Sequence, residues 1–281
     1  MAQKARLDAE LVRRGLARSR EHAASLIGDG RVVVRGMPAS KPASGVATDV
    51  SIVVSDDDPG WASRGAYKLL GALRAFEPGG LSVAGKRCLD AGASTGGFTD
   101  VLLSRGATDV VAADVGRGLL DWRLRTDERV TVLERNNVRR LDTEVLGGPV
   151  ELVTADLSFI SLTLVLPAFA ACVTAEASLV LMVKPQFEVG KNRLGSGGVV
   201  RSPRLREEAL LTVLTTGEEF GLWAAGAAAS PLPGPSGNVE YFVWFTASPS
   251  AVATSPGAAA GATRPAELAD IARVAVAEGP R

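Results

Sequence analysis

The chain has 281 residues, enough for one large domain and one small one, and 46% of them are hydrophobic, so a sizeable core is available. Its 31 basic residues balance 31 acidic ones, which excludes a uniformly basic nucleic-acid binder. The charge is unevenly placed, however: residues 1–47 hold nine Lys/Arg against four Asp/Glu, a net +5 that leaves −5 for the remainder. A basic amino-terminal module on an acidic body suggests an attachment that grips a polyanion. Cys88 and Cys172 fall in apolar runs without metal-ligand spacing and read as core residues in a reducing compartment. The first ten residues mix acids with bases and lack an apolar core, so no signal peptide is expected. The longest apolar stretch, 160–173, contains Pro167 and is too short to span a bilayer; it reads as a buried helix. A cytoplasmic protein that does not engage membranes is expected.

Along the chain, Leu7, Leu11, Val12 and Leu16 recur at helical spacing, with Arg13, Arg14 and Arg18 turned to the other side. Ser19 can cap a second helix whose Ala23, Leu26 and Ile27 face the first, and Gly28-Asp-Gly30 stops it. Residues 31–36 and 49–54 read as strands. Asp56-Asp-Asp-Pro-Gly60 breaks the composition, placing a linker at 59–63 between an amino-terminal domain, 1–58, and a body, 64–246. Trp61 in that linker can stack on a base or pack between domains. A helix opening in Ser63-Arg-Gly-Ala-Tyr-Lys-Leu-Leu70 runs to about Phe76. Further strands are predicted at 130–133, 151–155, 178–183, 222–229 and 239–245, with helices such as 203–220 between several of them. Alternating strands and helices predict the α/β class, a doubly wound, Rossmann-like parallel sheet beside a small α+β domain. Residues 247–264 form an Ala/Ser/Pro/Gly-rich loop expected to be disordered, and 265–281 holds a last amphipathic helix and tail.

The segment Lys86-Arg-Cys-Leu-Asp-Ala-Gly-Ala-Ser-Thr-Gly-Gly-Phe-Thr-Asp100 joins a short apolar run to a glycine turn and a helix. That order brings backbone close to a nucleotide-like ligand, and glycines permit positive φ and remove a Cβ that would collide with it. The pattern is not G-x-G-x-x-G, and taken alone it fits a plain structural turn equally well. A second apolar run ends in Asp114, roughly 20 residues on, where an acid accepts bonds from ribose hydroxyls. Asp90 would repel a pyrophosphate but suits a ligand with an amino group, which favours S-adenosylmethionine (SAM) over a dinucleotide.

Lys184 ends the apolar run 178–183 and Asp156 ends 151–155, so both should emerge at the carboxyl edge of the sheet, beside the ligand loop. Lys68 lies on the helix before the first strand, and Glu240 opens the run 239–245. Each alone reads as an ordinary surface charge; an acid and a lysine at adjacent strand ends do not.

The segments Ser63-Arg-Gly-Ala-Tyr-Lys-Leu69, Asp90 to Asp100, Asp114-Val-Gly116, Asp156-Leu-Ser-Phe-Ile-Ser161, Val183-Lys-Pro-Gln-Phe-Glu188 and Gly237-Asn-Val-Glu-Tyr-Phe242 together resemble the TlyA-type (hemolysin A) ribosomal RNA 2′-O-methyltransferases, from about residue 5 to 246. These join an S4 RNA-binding module, matched here over about 5–55, to an FtsJ-like domain. The resemblance implies a catalytic tetrad at Lys68, Asp156, Lys184 and Glu240. It implies SAM held by Asp90, Gly92, Ser94, Thr95, Gly96, Gly97, Phe98 and Asp114, with Asn137 near the adenine. Here Gly118-Leu119-Leu120 stands where the family often has Gly-Gln-Leu, and Asn136 replaces a frequent Thr. Arg6 ahead of the first helix resembles the longer subtype, which modifies both subunits' rRNA.

A ribose 2′-hydroxyl is a poor nucleophile until it loses its proton. A lysine serves as base only when neutral, against an ordinary pKa of about 10.4. A neighbouring ammonium and a dry site favour the neutral form and a carboxylate opposes it. The expected roles are Lys184 as base, Lys68 as the repelling charge, and Asp156 and Glu240 as orienting groups, with no metal. RNA contacts are expected from Arg6, Arg14, Arg18, Arg20, Lys41, Trp61 and Arg64, on a monomer acting on ribosomal subunits, the target a cytidine. Rival readings are a non-catalytic ribosome-assembly factor and a membrane-lysing hemolysin.

Overall fold

The computed structural model describes residues 4–17, 19–28, 31–35, 37–39, 41–54, 60–248 and 264–280. Arg18, residue 59 of the expected linker and residues 249–263 of the expected loop lie outside the described residues. The chain divides into two compact units, Met1–Gly60 and Trp61–Arg281.

In the first unit β1 (Lys4–Arg6) leads into α1 (Leu7–Arg13), followed by α2 (Arg20–Gly28), β2 (Val32–Val34), β3 (Met37–Pro38), β4 (Gly45–Ala47) and β5 (Ile52–Val54). β1 pairs with β4, and β2 lies between β3 and β5, all antiparallel. Leu7, Leu11, Ala23, Leu26 and Ile27 are buried together with Val32, Val46 and Val50, as their spacing predicts. The strands predicted at 31–36 and 49–54 shrink to three residues each because Arg35 turns the chain at φ +53° and 48–50 form a turn. β1, β3 and β4 are too short to show an alternating pattern, and the sequence reading misses them.

The second unit is built on a seven-stranded sheet. Its elements in chain order are α3 (Gly65–Phe76), β6 (Arg87–Ala91), α4 (Gly97–Ser104), β7 (Asp109–Asp114), α5 (Trp122–Arg125), β8 (Val130–Glu134), α6 (Thr143–Leu146) and β9 (Val150–Ala155). There follow α7 (Leu166–Cys172), β10 (Val173–Val183), α8 (Pro185–Glu188), α9 (Pro203–Glu219), β11 (Trp223–Ala229), β12 (Tyr241–Thr246) and α10 (Arg264–Glu278). The spatial order is β11-β12-β10-β9-β6-β7-β8. Strand residues alternate between two cores. Leu89, Val111, Val153, Leu179, Leu181, Val243 and Phe245 pack with residues of α7, α9 and α10. Cys88, Val110, Leu152, Val180, Phe242 and Trp244 pack with residues of α3 and α4. Coverage on both faces explains why these strands read as continuous apolar runs.

The expected parallel sheet is present from β10 through β8, and the departure is β12, which runs antiparallel to both β10 and β11. Residues 230–240 join β11 to β12 without a helix, and a connection of that kind returns the chain antiparallel. Glu240 therefore enters β12 at the same sheet edge where β9 and β10 end. The stretch 160–173, expected as one helix, is a 3₁₀ turn at Leu162–Leu164, then α7 with Pro167 in its first turn, and β10 begins at Val173. Among the described residues no helix is long and apolar enough to cross a membrane.

Candidate active site

α3 buries Ala66, Leu69, Ala72, Leu73 and Phe76, and Lys68 lies on the same side, only 4% exposed. Its Nζ is 2.5 Å from Oε2 of Glu240 and 4.0 Å from Oδ2 of Asp156. The Sδ of Met182 lies 3.8 Å away. Register supplies the other partners. β9 and β10 run parallel with Leu181 beside Ala155, and β12 sets Tyr241 beside Val183. Asp156, Lys184 and Glu240 therefore flank one another at one edge. The Nζ of Lys184 is 2.6 Å from Oδ1 of Asp156, an ion pair without hydrogen-bond alignment, and donates to Oγ of Ser158 at 3.1 Å.

The four groups form a string, Glu240, Lys68, Asp156, Lys184, with alternating charges that sum to zero. Side-chain exposure is 1% for Glu240, 6% for Lys68 and 9% for Lys184, against 24% for Asp156. The quartet is thus closed at the Glu240 end and opens to solvent at Asp156. Burial of this depth is tolerated because each charge has an opposite neighbour.

The candidate cofactor residues gather at the ends of β6 and β7. Asp90 is fully buried; Oδ2 accepts from Oγ1 of Thr99 at 2.7 Å, while Oδ1 has no partner. Burial pushes its carboxyl up to about 7. Asp114 accepts from the N–H of Ser94 at 2.9 Å and of Gly116 at 2.7 Å, tying the glycine turn to β7 while each oxygen keeps a free lone pair. Thr95 is exposed, and its carbonyl accepts from the N–H of Asp121 at 3.1 Å. Asn137 is exposed just past β8, where its side-chain Oδ1 caps a 3₁₀ turn by accepting from the N–H of Arg139. Phe98 turns away from the turn's open side: it is buried against Phe242, ring centroids 6.0 Å apart.

The glycines answer to the protein's own packing. Gly96 sits at φ +98°, and a Cβ there would lie 2.3 Å from Leu124 and 2.8 Å from Leu120. At Gly92, φ +83°, a Cβ would meet the Asp156 carbonyl at 2.9 Å, so the ligand loop and the ionic quartet share a close backbone contact.

Ala93, Ser94, Ala112, Asp114, Gly116 and Leu119 line a small pocket with Val132 and Glu134 beside this turn. An orphaned buried carboxylate oxygen fits an amino group, and acids at Asp90, Asp114 and Glu134 suit a cationic ligand rather than a pyrophosphate. The residues therefore fit SAM. Glu134 is missed by the sequence reading. It accepts from the N–H of Gly118 at 2.7 Å and pairs with Arg125, fixing the loop that carries Leu119.

In the first unit, Asp8 and Glu10 are buried carboxylates that sequence reasoning passed over. The Arg6 guanidinium, with Arg20 also bonded, holds the Asp8 carboxyl well below the usual range. Arg6 and Arg20 remain about half exposed, and Lys41 is exposed. Arg14 is committed to the fold: it pairs with Glu10 at 2.7 Å and donates to the carbonyls of Val50 and Thr48. In the second unit Trp61 packs against the α3–α4 core, the N–H of Ala62 donates to Asp100 at 2.9 Å, and Arg64, half-buried, precedes α3.

A seven-stranded Rossmann-like sheet carrying this acid-flanked turn beside a Lys-Asp-Lys-Glu string defines a SAM-dependent methyltransferase. Residues 61–247 match the FtsJ-like methyltransferases, and the chain belongs to that family. The chain is 55% identical over 281 residues, the whole of both chains, to the 16S/23S rRNA (cytidine-2′-O)-methyltransferase TlyA of Mycobacterium tuberculosis. It is 35% identical to Hemolysin A of Brachyspira hyodysenteriae over 85% of this chain and 99% of the relative. A solved structure from Streptococcus thermophilus, provisionally named a hemolysin, superposes with a TM-score of 0.71 at 34% identity, covering 99% of this chain and 98% of that one.

Proposed function

We propose that this protein methylates the 2′-hydroxyl of a cytidine in ribosomal RNA, as a cytoplasmic monomer acting on ribosomal subunits, with 16S and 23S rRNA both as substrates. The observation that carries the reading is the placement of the Lys184 amine between Asp156 and Ser158 at the open end of the quartet. When bound, SAM supplies an electrophilic sulfonium methyl. Lys184, in its neutral form, accepts the hydroxyl proton as the ribose oxygen attacks. Asp156, the most exposed of the four, orients the amine and the ribose, while Lys68, held by Glu240, places a positive charge behind Asp156. Holding hydroxyl and methyl in line supplies much of the rate. The first unit serves as an S4-like module whose Arg6, Arg20 and Lys41 reach phosphates, which makes binding salt-sensitive. Purified protein incubated with ribosomal subunits and labelled SAM, followed by mapping of 2′-O-methyl sites, tests the reading; absence of label on either subunit defeats it.

Asp90 holds the ligand's amino group through its unpartnered Oδ1, and this makes cofactor binding depend on protons. The carboxyl is protonated below about pH 7 in the unliganded fold, and only its ionised form attracts an ammonium. Affinity for S-adenosylhomocysteine, which keeps the amino group, is expected to weaken toward tenfold per unit below about pH 7 and to be flat above it. The stability of the unliganded protein runs the opposite way: a raised carboxyl favours the fold at low pH, and that contribution is lost as pH rises from about 4 through about 7. Asp90→Asn removes both dependences. Calorimetry and thermal melts between pH 5 and 8 check them; a pH-independent Kd in the parent protein removes Asp90 from the amino group.

Phe159 follows Ser158, is 91% exposed, and pairs with Phe187 at a centroid separation of 5.4 Å. An exposed ring on the residue after the Ser158 that bonds Lys184 suits the base of the target nucleotide. One base–aromatic stack is worth about 1–3 kcal/mol, roughly 5- to 150-fold. Phe159→Ala is expected to lower kcat/KM for rRNA within that range with no change in S-adenosylhomocysteine affinity.

A further inference from the structure

A neutral amine acting as base has two hydrogens and one lone pair. At Lys184 one acceptor is in place for those hydrogens, Oγ of Ser158 at 3.1 Å, and Oδ1 of Asp156 lies 2.6 Å away as an ion-pair partner that is not aligned as an acceptor. With one hydrogen held by Ser158 and the amine drawn toward Asp156 by charge, the directions left to the lone pair narrow toward the one an incoming hydroxyl requires. Asp156 alone would leave the amine free to rotate about its own axis.

Ser158 lies in the loop after β9, ahead of the bonds that Ser161 makes within that loop to Thr163 and Leu164. It is exposed, and the next residue, Phe159, sits at φ +63°, a left-handed backbone that a bulky side chain adopts only when neighbours impose it. The restraint comes from the turn after β10. Glu188 reaches across 26 residues of sequence to accept from the N–H of Leu162 at 2.9 Å, and its other oxygen accepts from Oγ of Ser161 at 2.5 Å. The Phe159–Phe187 contact joins the same two segments. The loop after β9 is therefore latched to the turn after β10 at its far end, with Ser158 held between that latch and Asp156. Burial raises the Glu188 carboxyl, and the bonds from Ser161 and Leu162 oppose that rise.

Resting on the proposed role of Lys184, we propose that Ser158 is a positioning residue that aims the Lys184 lone pair at the ribose hydroxyl, and that Glu188 acts through it by latching its loop in place. Both residues fall within segments already singled out in the sequence, yet neither carries a charge pattern or spacing that marks this role.

Methyl transfer to ribosomal subunits is measured under single-turnover conditions, with S-adenosylhomocysteine affinity and thermal melts run alongside. Ser158→Ala is expected to lower the rate roughly 10- to 100-fold with Kd unchanged. Glu188→Ala is expected to lower it about as much, and Glu188→Gln to restore most of the rate, because an amide still accepts from Leu162 and can donate to Ser161. In a Ser158→Ala background, Glu188→Ala is expected to cost less than about threefold more, since the latch acts through a group already removed. Multiplied losses in the double variant, failure of glutamine to rescue, or a rise in Kd and a fall in melting temperature parallel to the loss of rate would each overturn the latch. If the parent protein transfers no methyl, or Lys184→Ala remains active, the proposed function fails instead.

Discussion

Lys184→Ala is expected to reduce methyl transfer by about 10²- to 10⁴-fold, the range contributed by a positioned general base. Cofactor affinity should be unchanged, because Asp90, Asp114 and the glycine turn do not bond to Lys184. Lys184→Arg should fare no better. A guanidinium keeps the charge and the length but does not release its proton in a protein, so it cannot act as a base. The comparison separates loss of a base from loss of a positive charge, which arginine would rescue. Tritium transfer from labelled SAM to ribosomal subunits gives the rate, and calorimetry with S-adenosylhomocysteine gives the affinity. Turnover of the alanine variant within about threefold of the parent would remove Lys184 from the reaction.

The pair at the closed end of the quartet makes a different prediction, first about stability. Lys68 and Glu240 are 2.5 Å apart and almost wholly buried. Removing one partner strands the other charge, which costs about 3–5 kcal/mol. Glu240→Ala leaves Lys68 with only Asp156, 4.0 Å away, and is expected to lower the melting temperature by on the order of 10 °C. The double variant Lys68→Met, Glu240→Leu removes both charges and should recover most of that loss, since an apolar pair of similar volume replaces a buried ion pair at little or no cost. Methyl transfer should nevertheless be lost in the double variant, because no positive charge then stands behind Asp156. A double variant that is stable and fully active would show that the pair serves folding alone.

How much of this was legible in the sequence follows from where each residue sits. Asp156 and Lys184 were visible because apolar strands end in charges only where something compensates, and the sheet does bring the two together. Asp90 and Asp114 were visible through the strand, turn and helix rhythm around the glycines. Lys68 and Glu240 had no such signal: one lies on a helix ahead of the sheet, the other opens a strand whose direction local pattern does not encode. Their link to the site rested on resemblance. The reversal of β12 went unseen because the residues between β11 and β12 read as a connection without showing that no crossover helix fills it. Asp8 and Glu10 looked like ordinary acids on a basic helix; only the fold shows that they organise the arginines around them. Ser158 and Glu188 went unnoticed because a hydroxyl and a carboxylate in a loop acquire a role only from what lies across from them.

The direction of β12 bears on when the protein can begin to work. A chain leaving the ribosome exposes Lys68, Asp156 and Lys184 well before Glu240 is made, and Glu240 reaches its place only after the β11–β12 hairpin has docked along β10. Without that strand Lys68 keeps only the more distant Asp156, and the cleft holds two cations against a single anion. A chain cut before β12 is therefore expected to lack methyl transfer, because the quartet is complete only when the carboxyl-terminal strands pair with β10.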